Sequence, residues 1–361
     1  MNQAPRFHRL VVTEVRRETP GAMSLTLSPP PALARDYAFE PGQYLTLRAI
    51  VNGEDLRRAY SICSGPGEAL RVAVKQVDDG IFSSWVNASL KPGDEIDVMT
   101  PTGRFGLNGD FADGRVHVGF AAGSGITPIL SILRGVLTHE PSSRFFLFYG
   151  SRSVEDILFR GELEELKDQY LGRLCVFHVL SREEQDVEIL NGRLDGDKAR
   201  LLLRFVVPAA SVDHVFICGP EGMITELEAT CAEIGVTAEA IHVERFVSIH
   251  GGQPRKALEP APPRADAPSA HKISIMLDGN RRDIGAAAGE AILDAALRAG
   301  LDLPFSCKGG MCCTCRARIT QGAAAMDVNY SLEPWEVAAG FVLTCQARPT
   351  TERIVVDFDH V

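Results

Sequence analysis

Aromatic residues are scarce, at 7 % with only two tryptophans, and no apolar run approaches the roughly 18 residues that a membrane-spanning helix needs. A spanning helix is therefore not expected. Positive charge is also short: 37 lysines and arginines against 47 aspartates and glutamates leave a net charge of −10, which repels a phosphate backbone over most of the surface. Nucleic acid is not an expected partner, nor is a membrane. Met1–Leu10 contains no continuous apolar segment of the kind an export signal carries, so the expected location is cytoplasmic. H-E-x-x-H, G-x-S-x-G and Walker loops are all missing, which argues against hydrolysis.

What is present is a chain of 361 residues, enough for two or three domains, with ordinary globular proportions of 45 % hydrophobic and 23 % charged residues. Its nine cysteines are odd in number and unevenly placed, five of them at 307, 312, 313, 315 and 345. That distribution argues against a disulfide framework and for a metal centre.

Composition divides the chain. Residues 1–110 alternate like antiparallel strands around Leu10–Val15, Met23–Leu27, Gln43–Ile50, Ala59–Cys63, Leu70–Val77 and Glu95–Met99, which predicts a β-barrel domain. Residues 111–250 switch to apolar strands alternating with helices: Val116–Ala121, a helix from Pro128, Phe145–Gly150, a helix around Glu155–Tyr170, Cys175–Leu180 and Val215–Cys218. This pattern predicts an α/β domain with a parallel sheet. Repeated prolines in Gln253–Pro268 mark residues 251–270 as a linker. Residues 271–361 read as a small α+β module with one helix, Glu290–Ala299, and nearly balanced charge, nine basic residues against eleven acidic.

Cys307, Cys312, Cys315 and Cys345 have the spacing C-x4-C-x2-C-x29-C, a plant-type 2Fe-2S signature. Gly309 and Gly310 let backbone N–H groups approach the sulfurs. A structural zinc site is the alternative, although zinc frameworks usually show two short C-x2-C pairs. Cys313 breaks the spacing and reads as a small neighbour turned away from the cluster. The tail, through Asn329-Tyr330-Ser331-Leu332 and Leu343-Thr-Cys345-Gln346, resembles a plant-type ferredoxin of β-grasp fold. That resemblance implies that Cys307 and Cys312 hold one iron, and Cys315 and Cys345 the other.

In the barrel, strand alternation puts Arg58 and Tyr60 on one face, so a cation and a ring project together, followed by Ser61. Gly80-Ile-Phe-Ser83 comes next, where a helix starting near Ser83 would offer free N–H groups to a phosphate. The two pieces resemble the flavin-binding barrel of the ferredoxin-NADP reductase family. The resemblance implies that Arg58 and the Gly80–Ser83 segment hold the FAD pyrophosphate, that Tyr60 and Ser61 contact the flavin ring, and, as a looser match, that Lys75 contributes. Related reductases use FMN, and the barrel motifs overlap.

After the first strand of the α/β region stands Gly123-Ser-Gly125-Ile-Thr127-Pro128. Two glycines permit close approach to phosphate, Thr127 is a candidate N-cap and Pro128 suits a first helical turn. Pro128 replaces the third glycine of the usual dinucleotide fingerprint, so that fold's strand order is not assumed. The loop is similar to the same family's nucleotide loop. Cys218-Gly219-Pro220 resembles its nicotinamide-pocket element, with Cys218 near the reacting carbon or simply packed. Ser151-Arg152 and Arg182, at the ends of later strands, offer no carboxylate for a ribose diol, which favours NADPH over NADH. Phe246 falls where members of the family place an aromatic ring over the flavin; a plain domain-ending hydrophobe is the alternative.

The order of the three domains implies electron transfer from NADPH through FAD to the 2Fe-2S cluster and on to an oxygenase. The resemblance is greatest to reductases serving a multi-subunit di-iron epoxidase; Rieske or steroid hydroxylase systems using NADH, and a cofactor-binding sensor without turnover, are the alternatives.

Overall fold

The computed structural model describes residues 6–207, 211–246 and 270–360, so the proline-rich segment 253–268 lies outside the described residues. The first unit contains β1 (Phe7–Thr19), β2 (Ala22–Ser28), β3 (Tyr44–Val51), β4 (Glu54–Ser61), β5 (Leu70–Lys75), α1 (Ile81–Ser89) and β6 (Glu95–Met99). The strands pair antiparallel in the order β4-β3-β6-β1-β2-β5. Alternation sends Leu10, Val12, Val72 and Val74 into one core. The two edge strands approach through an Ile62–Val72 bridge and a 2.9 Å bond from the Cys63 N–H to the Arg71 carbonyl, which removes the exposed edges.

The second unit follows with β7 (Val116–Ala122), α2 (Ile126–His139), β8 (Arg144–Ser151), α3 (Arg160–Gln169), β9 (Leu174–Leu180), α4 (Gly196–Val206), β10 (His214–Gly219), α5 (Glu221–Glu233) and β11 (Ile241–Arg245). All five strands are parallel, in the order β11-β10-β7-β8-β9. β7 is buried along nearly its whole length because helices cover both faces of the sheet. Strand order reverses between β7 and β10, and the loops leaving those strands meet there. The helix read over Glu155–Tyr170 is shorter than expected: Phe159 adopts a left-handed conformation (φ 58°), so α3 starts only at Arg160.

The third unit contains β12 (His271–Leu277), β13 (Asn280–Ala286), α6 (Ile292–Arg298), β14 (Arg316–Gln321), β15 (Ala324–Met326), α7 (Pro334–Ala338), β16 (Phe341–Leu343), β17 (Ala347–Pro349) and β18 (Arg353–Asp357). Its main sheet runs β13-β12-β18-β14-β16, parallel only between β12 and β18. Ile292, Leu293 and Ala296 of α6 pack on Ile273, Ile275 and Val356.

The units join in two ways. The barrel and the α/β unit share an apolar core in which Ala22, Cys63, Ala73 and Phe105 meet Ile129, Leu130 and Leu133 of α2. Across the same joint Arg71 reaches Glu162 at 2.7 Å and Arg134 reaches Glu68 at 2.6 Å. The third unit meets the barrel through polar groups: Arg57 bonds Asp302 at 2.7 Å, and Arg104 bonds Glu336 at 2.9 Å.

Candidate functional site

The barrel's candidate residues gather at one end. Arg58 and Tyr60 lie on the same face of β4, and Tyr60 stacks on Phe82 in the first turn of α1, with ring centres 6.0 Å apart. Burial pushes the Tyr60 phenol well above its ordinary range, against the pull of the nearby Arg58 charge, so it stays neutral. α1 begins at Ile81, not near Ser83, with Gly80 as the cap. Ser83 instead fixes the preceding turn: its hydroxyl accepts from the Val77 N–H at 3.1 Å and donates to the Gly80 carbonyl at 3.2 Å. A Cβ on Gly80 would lie 2.5 Å from that hydroxyl, so any larger residue would displace it. No side chain caps α1, and its first-turn N–H groups are available to an anion. These residues fit a flavin pyrophosphate.

At the reversal of strand order, Gly123 has φ +54°, and the Lys75 ammonium sits 3.6 Å from where its Cβ would be. Lys75 therefore faces the nucleotide loop across the domain joint. The Tyr149 hydroxyl donates to the Gly123 carbonyl at 3.0 Å and accepts from the Leu158 N–H, which sets the loop. A Cβ on Gly125 would overlap the Cys218 carbonyl, so this glycine lets the two loops pass. Thr127 is not the N-cap. α2 begins at Ile126 after a tight turn over Gly123–Gly125, and the Thr127 hydroxyl donates back to the Ser124 carbonyl at 2.9 Å. Gly219 and Pro220 close β10, and a Cβ on Gly219 would meet the Met223 methyl at 2.5 Å.

Cys218 is fully buried, and burial together with the Glu244 charge keeps its thiol protonated. Glu244 lies opposite Cys218 in the β10–β11 pairing. Burial, then the nearby Cys307, pushes its carboxyl up to about 8. No motif in the sequence singles out Glu244, although a carboxylate in Ile241-His-Val-Glu-Arg-Phe246, at a strand end, is a visible signal. Phe246 packs on the core holding both Cys63 and Cys218. Ser151 is buried at the end of β8; Arg152 and Arg182 are exposed on adjacent loops, tied by a 2.8 Å bond from the Arg182 N–H to the Arg152 carbonyl.

The cysteine loop sorts its thiols into two pairs. Cys307 and Cys312 share a hydrogen bond, as do Cys315 and Cys345. Among the described residues no three His, Cys, Asp or Glu side chains close on a single ion. N–H groups aim at the sulfurs: Gly309 to Cys307 at 3.3 Å and Cys307 to Cys312 at 3.5 Å. The Cys312 thiol and the N–H groups of Gly309, Met311 and Cys312 hold the Cys307 thiol below its ordinary range, favouring the thiolate that iron needs. Gly310 (φ +76°) packs against Val328, with 3.0 Å from its Cβ position to a Val328 methyl. Cys313, itself at φ 54°, points to the Ser331 hydroxyl at 3.0 Å, away from both pairs. The four ligand candidates fit a 2Fe-2S cluster.

A cleft of about 950 Å³ opens where the three units meet, lined by Phe105, Glu244, Cys312, Thr314 and Tyr330 among others. Arg58, Tyr60 and Gly80 are not on its wall.

Barrel, parallel-sheet unit and cysteine loop together define an oxidoreductase that binds a flavin, a pyridine nucleotide and an iron–sulfur cluster in series. Residues 22–106 match the oxidoreductase FAD-binding domain, 120–229 the oxidoreductase NAD-binding domain and 275–350 the 2Fe-2S iron-sulfur cluster binding domain. Over 356 residues the chain is 42 % identical to a subunit of the 1,2-phenylacetyl-CoA epoxidase of Escherichia coli (strain K12), covering 98 % of each. It belongs to that family of oxygenase reductases. The ferredoxin reductase component of 3-ketosteroid-9-alpha-monooxygenase from Rhodococcus rhodochrous is 31 % identical, over 97 % of this chain and 96 % of its own. Phthalate dioxygenase reductase shares the fold, with a TM-score of 0.58, 22 % identity, and coverage of 97 % of this chain and 98 % of its own. No helix among the described residues is long and apolar enough to cross a membrane.

Proposed function

We propose that this chain carries electrons from NADPH, through FAD and the 2Fe-2S cluster, to the multi-subunit di-iron phenylacetyl-CoA epoxidase of aerobic phenylacetate breakdown. The observation that carries this reading is full-length similarity to an epoxidase subunit, at 42 %, combined with all three binding units in one order. Bound FAD takes up a hydride and gives up single electrons, the exchange that a nicotinamide and a one-electron cluster require.

The chain's own groups do the positioning. Arg58 and the N–H groups after Gly80 hold pyrophosphate, with the turn kept by Ser83. Tyr60 and Ser61 seat the flavin ring, and Phe246 covers it until nicotinamide arrives. The Gly123, Gly125 and Thr127 turn, with Gly219 and Pro220, admits the coenzyme phosphates, and Lys75 supplies a nearby cation. Cys218 and Glu244 border the transfer point, both favouring the protonated state. Ser151, Arg152 and Arg182 select the 2′-phosphate of NADPH. Cys307, Cys312, Cys315 and Cys345 are the iron ligands. The domain limits are 1–110, 111–250 and 271–361 around a 251–270 linker. The cytoplasm, which keeps thiols reduced, suits nine cysteines of which none of those described is in a disulfide.

Reconstitution tests this. Purified holoprotein with the epoxidase components should couple NADPH oxidation to oxygenation of phenylacetyl-CoA. Turnover with a steroid or Rieske hydroxylase but not with the epoxidase would reassign the partner, and no flavin bleaching with either coenzyme would favour the sensor reading.

A further inference from the structure

Tyr44 opens β3 and lies opposite Ser61 in the β3–β4 pairing, so its backbone is anchored beside the strand end proposed to seat the flavin ring. Its N–H and carbonyl bond Thr102, at 2.8 and 3.1 Å. The ring lies against Gly103, whose φ of +118° and missing Cβ admit it: a Cβ there would sit 3.0 Å from the ring edge. The side chain then leaves the barrel. Its hydroxyl donates to the Cys312 carbonyl and lies 2.8 Å from the Thr314 hydroxyl. A phenol has one proton and a carbonyl only accepts, so the Thr314 hydroxyl must be the donor of the second bond. Tyr44 is 6 % exposed and Thr314 4 %, so neither bond competes freely with water.

Residues 312–314 join the two cysteine pairs. Cys312 belongs to one and Cys315 to the other, so the backbone that Tyr44 grips is the link between the two iron positions. Ionic contacts hold the third unit down on either side. Arg104 bonds Glu336 and lies 3.8 Å from the Cys313 sulfur; Arg57, 5 % exposed, bonds Asp302 and stacks on Phe305 at 4.1 Å.

We propose that Tyr44 is a positioning residue for electron transfer between flavin and cluster, tying the strand end that presents Ser61 to the backbone between the cysteine pairs. Transfer then takes place with the ferredoxin unit docked on the barrel, without a swing of that unit. This rests on the electron route proposed above. The step moves one electron at a time from reduced flavin to a ferric iron, and Tyr44 keeps its proton and its oxidation state.

The test is anaerobic stopped-flow absorption on full-length holoprotein mixed with NADPH, with flavin and cluster bleaching followed separately in the wild type, Tyr44→Phe and Thr314→Val. Both variants should keep their iron and flavin and the wild-type flavin phase. Both should slow the cluster phase by about tenfold to a hundredfold, the scale of an ångström-sized misplacement. Hydrogen exchange at residues 312–314 should rise, and the EPR line shape of the dithionite-reduced cluster should change, which a distant packing defect would not produce. If Tyr44→Phe does not fold, Thr314→Val alone decides. Unchanged cluster bleaching and exchange in the folded variants overturn the assignment. A wild-type cluster that stays oxidised overturns the electron route beneath it.

Discussion

Arg57 of the barrel and Asp302 of the ferredoxin unit lie 2.7 Å apart, although 245 positions separate them in sequence. Alternation along β4 makes this possible: Arg58 shares a face with Tyr60, so its neighbour Arg57 turns to the other. Arg57 also bonds Asp55 at 3.1 Å and lies over the Phe7 and Phe305 rings. Asp302 is 64 % exposed, so Asp302→Ala should cost under about 1 kcal/mol. Arg57→Ala removes a buried cation from two rings and two carboxylates and should cost about 2 kcal/mol or more. Denaturant unfolding of the holoprotein distinguishes them, and equal costs would make Asp302 the anchor.

Cys345→Ser should lose the cluster and cytochrome c reduction while keeping NADPH-to-ferricyanide activity, because its partner Cys315 lies in the third unit's core whereas the residues proposed to hold the flavin lie in the barrel. Iron content and the two assays check this. A folded variant lacking both activities would show that the flavin site depends on the cluster.

Arg152→Ala should raise the Michaelis constant for NADPH much more than for NADH, since only the former carries a 2′-phosphate for an exposed guanidinium on the β8 loop. Parallel kinetics with the two coenzymes measure it. Equal weakening would remove Arg152 from coenzyme selection.

Gly125→Ala should destabilise the chain by more than about 3 kcal/mol, because the added methyl would occupy the position of the Cys218 carbonyl. Thermal unfolding and coenzyme binding should both suffer. A variant of normal stability would mean that the β7 and β10 loops separate easily.

Glu244 gives a pH dependence of unusual sign. Its carboxyl is raised from 4.5 to about 8 on folding, so between those values the folded chain binds more protons than the unfolded one, and stability falls as pH rises. Glu244→Gln should therefore gain on the wild type from pH 5 to pH 8 and match it near pH 4. Unfolding free energies across that range check it; parallel curves would place the carboxyl at its ordinary value.

Local chemistry is legible in the sequence, and long-range geometry is not. The spacing of Cys307, Cys312, Cys315 and Cys345 carries a metal centre because four ligands within one fold element leave a pattern in the chain. Arg58 and Tyr60 are readable from two-residue alternation. Arg57 and Glu244 acquire meaning only from partners hundreds of residues or a sheet pairing away, which no local pattern records. α2 starts earlier than its capping signals suggest because the Gly123–Gly125 turn already winds the chain before Thr127. Phe159 cuts α3 short through a backbone conformation that composition does not announce.

The two joints of this molecule differ in kind. The barrel and nucleotide unit share an apolar core, whereas among the described residues the ferredoxin unit contributes to no apolar cluster with either. Dissolved salt weakens exposed ion pairs and leaves buried hydrocarbon contacts intact. Ionic strength thus acts more strongly on the flavin-to-cluster joint than on the hydride-transfer joint. A single solution variable can loosen the second half of the relay more than the first.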